Sequence, residues 1–159
     1  LSQQVMINAN SFTPFKNNTN IPSGEILSVF NTPMDFTNFK EIGKDIDKNY
    51  TQLKIGNGYD HNYVINRNNN DIILVAKAYS KKTGINLEVY SDLPGLQFYT
   101  GNFNNVTEFG KDNAKYLARS GFCFETQYFP NCYNIDNFKK PIIDANEIYE
   151  TTTIYKLNV

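Results

Sequence analysis

The sequence predicts an antiparallel all-β fold, and three observations carry that reading. β-Branched and aromatic residues are abundant, with 11 tyrosines and 12 phenylalanines in 159 residues, and such side chains suit a pleated, half-buried surface. Turn residues recur at short intervals between the apolar segments. Apolar residues at helical spacing are scarce.

The elements follow in chain order. Residues 5–12 read as a short strand. Residues 20–24 are a turn, because Pro22 presets one φ angle and Gly24 can take a positive one. Residues 25–29 follow as a strand, and 32–35 turn again. The stretch 35–42 is where a turn or two of helix is expected. Residues 71–79 form a longer strand, 81–84 a turn, and 85–90 alternate apolar with polar at period two, so the two strands make a hairpin. Segments 96–100, 121–126 and 148–155 complete the strands. Of the asparagine runs, 17–20 reads as a surface loop and 66–70 as a hairpin loop. No internal repeat is visible.

The mass of 18.2 kDa suits one domain with one core. Fifteen basic residues face 16 acidic ones, for a net charge of −1. That balance argues against a general nucleic-acid binder and gives no polybasic signal for an anionic membrane. No uninterrupted apolar run approaches the roughly 20 residues of a membrane span. Two cysteines, Cys123 and Cys132, stand nine apart, with His61 the single histidine. A zinc site would need more ligands than these. One disulfide is possible in principle, and two free thiols are the expectation for a reducing compartment. The chain starts at Leu1 with no basic and apolar leader. The expectations are a cytoplasmic location and an upstream segment that has been removed.

Three polar positions could carry chemistry. Asp60 follows Gly56 and Gly58 at the start of a strand. It reads either as a loop aspartate bonding its own turn or as a ligand group. Glu125 shares a strand face with Cys123 and Gln127, while Phe122 and Phe124 point the other way. It is either an exposed strand residue or a partly desolvated carboxylate, which would be a better general base. Gln97 shares a face with Tyr99, and Leu96 and Phe98 share the opposite one. An amide beside an aromatic face can hold a polyhydroxylated ring. The alternative is an ordinary strand with one polar residue. His61 adjoins Asp60 and points to the other face, so it is expected to be packed or at the surface rather than to work with Asp60.

Five segments in order carry a resemblance. They are Ile-Pro-Ser-Gly-Glu-Ile at 21–26, Thr-Pro-Met-Asp-Phe at 32–36 and Gly-Tyr-Asp-His-Asn-Tyr at 58–63. Pro-Gly-Leu-Gln-Phe-Tyr-Thr-Gly-Asn at 94–102 and Ser-Gly-Phe-Cys-Phe-Glu-Thr-Gln at 120–127, with Phe129-Pro130 after it, complete the set. Together they resemble the aldose 1-epimerases, or galactose mutarotases, across nearly the whole chain. The resemblance implies an antiparallel β-supersandwich with an open sugar cleft, of which residues 1–159 would be the C-terminal part of a single domain. It implies interconversion of the α and β anomers of free aldohexoses such as galactose and glucose, with no metal or organic cofactor. It implies Glu125 as the general base and Asp60 and Gln97 as sugar ligands. Tyr99 and Phe98 are weaker candidates for the cleft wall, and strand alternation favours Tyr99.

The departures are equally specific. The family's acid is a histidine in an Asn-His-Ser-Tyr-Phe-Asn type of segment, and a second histidine and a sugar-binding arginine also lie upstream. None of these has a counterpart in this chain, and Ala145-Asn146-Glu147 stands where the family usually has Pro-Gly-Glu. The expectation is therefore an epimerase lacking its upstream half, whose open strands the missing half or a second chain would cover. The alternative is a carbohydrate-binding paralogue or fragment without turnover. An epimerase for phosphorylated hexoses would need a basic pocket, and Arg67 and Arg119, the two arginines, lie outside the matched cleft motifs.

Overall fold

One stretch of chain near the N-terminus serves both of the large sheets. The computed structural model describes residues 1–17, 19–103 and 105–159, without the side chains of 105–107. β1 (Gln4–Ile7) and β2 (Ala9–Thr13) are nearly continuous, yet they belong to different sheets. The later strands are β3 (Leu27–Ser28), β4 (Lys40–Glu41), β5 (Asp60–Ile65), β6 (Ile73–Tyr79), β7 (Asn86–Ser91) and β8 (Gly95–Tyr99). After them come β9 (Asn105–Phe109), β10 (Lys115–Leu117), β11 (Cys123–Gln127) and β12 (Thr153–Asn158). One sheet runs β12-β7-β6-β1-β4, a second β11-β8-β5-β2-β3, and β10 and β9 pair alone. Every pairing is antiparallel, as the sequence predicts.

The split of the expected 5–12 strand falls at Asn8. Its N–H donates to Val75 O and its side-chain amide to Leu74 O, so it bonds β6 as the chain leaves that sheet. Its carbonyl accepts from Asn66 N, and the Asn66 amide reaches both Asn8 Oδ1 and Asn10 Oδ1. Asparagine side chains thus satisfy backbone groups that a change of sheet would strand. Among the described residues, six of the eight non-glycine residues with positive φ are also asparagines, which tolerate the left-handed region better than most residues.

The run 66–70 is not a hairpin loop. It carries the chain from β5 in one sheet to β6 in the other. Arg67 holds this crossing by donating to the carbonyls of Asn69, Asp71, Leu93 and Ser91. Leu93 lies in the return crossing from β7 to β8, so one guanidinium closes both. The expected 71–79 and 85–90 hairpin is present as β6 and β7. The expected 25–29 strand shortens to β3, and the final strand starts later, at Thr153. Of the expected surface loop 17–20, Asn17, Thr19 and Asn20 are exposed, and Asn18 lies outside the described residues.

Residues 35–42 hold no α-helix. Asp35 Oδ1 accepts from both the N–H and the hydroxyl of Thr37, a local bond that competes with helix, and Lys40–Glu41 pair with β1 instead. The one α-helix among the described residues, α1, spans Thr51–Gly56. It stops at Asn57, whose φ of 53° is left-handed, and Gly58 N–H then closes on Leu53 O. Among the described residues, no helix is long and apolar enough to cross a membrane.

Both large sheets feed one core. Val5, Ile7, Val75, Ala76 and Val89 come from one, and Phe12, Tyr63, Leu96, Phe98 and Phe124 from the other. Phe98 is at its centre, 0% exposed, with the rings of Phe36, Tyr59, Tyr63, Phe122 and Phe124 at 5.3–6.4 Å. At the β12 edge the burial fails. Tyr155 pairs with buried Val89 and Leu157 with Leu87, so both face the core side, yet they are 53% and 67% exposed.

His61 is part of this packing, 0% exposed against Phe12 and Phe15. Its Nδ1 accepts from Asp60 N–H and its Nε2–H donates to Gln52 Oε1, an arrangement that suits neutral imidazole. Burial pushes its pKa down from 6.5 to about 3.

Two outcomes follow. Between pH 6.5 and about 3 the unfolded chain binds a proton that the folded one does not, so stability should fall with pH by about 1.4 kcal/mol per unit. Urea midpoints for wild type and His61→Phe across this range should show that contribution missing in the variant. Arg67→Met should cost about 2 kcal/mol, measured in the same urea titration at neutral pH.

Candidate functional site

The pairing of three neighbouring strands assembles the candidate residues. In β5, β8 and β11, Asp60 is level with Tyr99 and Cys123, and Asn62 is level with Gln97 and Glu125. Paired residues share a face, so Asp60, Asn62, Gln97, Tyr99, Glu125 and Gln127 all rise from one side of the sheet. The opposite side carries His61, Phe98 and Phe124 into the core. The alternation expected from sequence is therefore observed, and it removes Phe98 from the site while keeping Tyr99.

These side chains line a cavity of about 370 Å³, walled also by Phe15, Pro22, Phe103 and Pro130. Asp60 and Glu125 sit on strands two apart and two residues out of level, so their backbones are about 12 Å from each other. A ligand the size of a single ring can lie between them. A larger cavity, about 660 Å³, opens beside the Asn8 crossing and the 66–70 segment. None of the expected site residues lines it.

The floor of the smaller cavity is a chain of hydrogen bonds. Gln97 Nε2 donates to Asp60 Oδ1 at 2.8 Å. Gln127 Nε2 donates to Gln97 Oε1 at 3.0 Å and to Asn62 Oδ1 at 3.1 Å. Tyr99 Oη accepts from Phe103 N–H at 3.2 Å, which holds the phenol against the wall.

Desolvation falls on Asp60, and of the two readings open for Glu125 the exposed strand residue is the one observed. Glu125 is exposed at the open side of the cleft, on edge strand β11. Asp60, on an interior strand, is half-buried, and that burial pushes its carboxyl up from the ordinary value, opposed by the Gln97 hydrogen bond. An interior strand is covered on both sides and an edge strand on one, and alternation along a single strand carries no information about that order.

Other charged groups stay out of the cavity. Arg67 is committed to backbone carbonyls. Arg119 donates to Asp47 and to Asn57 O. Both cysteines are free thiols. Among the described residues, no three His, Cys, Asp or Glu side chains gather as a metal site requires.

Sequence reasoning missed some of the lining. Asn62 and Gln127 were available from alternation, two residues beyond Asp60 and Glu125 on the same strands. Phe15 and Phe103 come from loops, and no local pattern points to them.

Comparisons with known proteins speak to the family and the fold. The family model described as aldose 1-epimerase matches residues 1–156. Galactose mutarotase from Bos taurus is 37% identical over 156 residues, and that from Homo sapiens 36%. Both alignments cover 98% of this chain and 44% of the relative, so the chain spans less than half the length of these relatives. Aldose 1-epimerase from Escherichia coli K12 is 28% identical over 138 residues, 86% of this chain and 39% of the relative. Among solved structures, an aldose epimerase homologue from C. elegans superposes with a TM-score of 0.82 at 23% identity, over 99% of this chain and 46% of that one. Galactose 1-epimerase from Lactobacillus acidophilus superposes with a TM-score of 0.70 at 24% identity, over 99% of this chain and 44% of that one. At these identities the superpositions speak for the fold.

Proposed function

The chain belongs to the aldose 1-epimerase family, and from that premise we propose that its cleft binds a free aldohexose, such as galactose or glucose, and supplies the basic half of a mutarotation site. One observation carries the reading: Asp60, Gln97, Tyr99 and Glu125 line a single cavity of about 370 Å³. Its polar floor can bind hydroxyls, and its aromatic wall can take the C–H face of a sugar ring.

Mutarotation needs a base at the anomeric hydroxyl and an acid at the ring oxygen. The ring opens, the C1–C2 bond rotates, and reclosure delivers the other anomer. Glu125, at the open side, is the group we assign to take the C1-hydroxyl proton. Asp60 and Gln97 bind ring hydroxyls and fix which face of C1 meets the base. Tyr99 forms part of the wall. No step calls for a metal or an organic cofactor.

The acid is a different matter. His61 is buried on the far side of β5 and is held neutral, so it cannot protonate a sugar in the cleft. We assign the acid to a group outside these 159 residues, on an upstream segment or a second chain. Exposed apolar side chains on β12 and in the β9–β10 region, Tyr155, Leu157, Phe109 and Leu117, offer surface for such a partner. Two free thiols suit a reducing, cytoplasmic setting. The same lack of a cleft histidine supports the second reading, a domain that binds sugar without turning it over.

Polarimetry on fresh α-D-galactose and α-D-glucose separates these readings. Supplied with an upstream segment that carries the acid, wild type should speed the approach to equilibrium, and Glu125→Gln should be slower by roughly 10²–10⁴-fold. Galactose binding without acceleration would select the binding domain, and neither binding nor acceleration would remove the sugar assignment. Light scattering tests the partner: the chain should self-associate or bind an added upstream segment, and a monodisperse monomer indifferent to that segment counts against it.

A further inference from the structure

The polar side chains on the cleft floor have a direction, and it starts at Asp60. An ionised carboxylate only accepts hydrogen bonds. The amide group 2.8 Å from Asp60 Oδ1 must therefore present nitrogen, which orients Gln97. Its Oε1 then faces β11 and needs a donor, and Gln127 Nε2 stands 3.0 Å away. The same nitrogen lies 3.1 Å from Asn62 Oδ1, so both hydrogens of one NH₂ group are used. Asn62 is left with Nδ2 buried and without a partner among the described residues.

That orphan is informative, because a buried donor without an acceptor is unfavourable. Turning all of these amides over would satisfy it, by giving Asn62 Nδ2 to Gln127 Oε1. The reversed chain would also turn Gln97 oxygen toward Asp60, which only a protonated Asp60 tolerates. The observed direction keeps the Gln97 donor on Asp60 at the expense of Asn62. Gly95, paired with Gln127, makes room for it: a Cβ there would stand 2.4 Å from Asn62 Oδ1 and 3.1 Å from Gln127 O. Glycine is required at such a close approach.

We infer that Gln127 is a positioning residue, which donates to Gln97 and Asn62 at once and so holds Gln97 with one N–H on Asp60 and the other available to a ligand hydroxyl. Asp60 and Gln97 then offer a sugar an acceptor and a donor in fixed places. The ligand named here rests on the reading of the cleft as a sugar site, whereas the direction of the amide chain does not.

Side-chain amide NMR of the 159-residue chain tests the direction with no sugar present. In Gln127→Met the Gln97 Nε2 protons should exchange with water about tenfold faster, the factor one hydrogen bond supplies, while backbone amide shifts outside β5, β8 and β11 stay in place. Unchanged Gln97 exchange overturns the proposal. Asp60→Asn, a near-isosteric change at the cleft surface, serves if Gln127→Met fails to fold. Removing the anchor should shift the Gln127 amide signals two strands away, and an unmoved Gln127 overturns the proposal equally. A galactose titration forms the second arm, with about tenfold weaker binding expected for Gln127→Met and equal binding counting against the role. If wild type itself does not bind galactose, the sugar assignment falls and the amide measurements still decide the positioning role.

Discussion

Everything at the cleft depends on which way Phe98 points. This ring is fully buried among Phe36, Tyr59, Tyr63, Phe122 and Phe124. Strand alternation then sends Gln97 and Tyr99 to the opposite face. A slip of one residue in β8 would put an amide and a phenol into the aromatic cluster and leave Phe98 in water. The desolvation of unpaired polar groups and the loss of aromatic burial both oppose that slip. The register that satisfies the core is the one that levels Gln97 with Glu125 and Asn62.

The polar face lives under a different rule. Its groups are held by one another, because a half-buried carboxylate and several amides cannot all be satisfied by solvent. Direction matters there more than count. An acceptor-only group at one end forces the orientation of each amide after it, and the mismatch emerges at the far end, on Asn62. A network of this kind is rigid because each member has only one acceptable orientation.

Much of this was legible in the residues, and what was not has a physical reason. Period-two alternation reads the face of each strand residue, so Gln97 and Tyr99 were separable from Phe98, and Glu125 from Phe124. It also placed His61 away from Asp60, where it packs between Phe12 and Phe15. Alternation cannot say which sheet a strand joins, so the 66–70 run read as a hairpin loop although it crosses between sheets. Nor can it report whether a strand lies inside a sheet or at its edge, which is why Asp60 rather than Glu125 proved to be the half-buried carboxylate. The helix expected at 35–42 lost to an aspartate side chain that bonds its own turn. α1 went unread because six residues are too few to show a period.

The chain's passage through Asn8 has a mechanical consequence. A sandwich built from two separately threaded sheets could shear, with one layer sliding over the other while its own hydrogen bonds stayed intact. Here the layers share a backbone, pinned on both sides of the crossing by Val75, Leu74 and Asn66. Sliding either layer would pull on the other through covalent bonds. The two layers should therefore respond to force or denaturant as a single cooperative unit, and no state with one layer intact and the other frayed should accumulate.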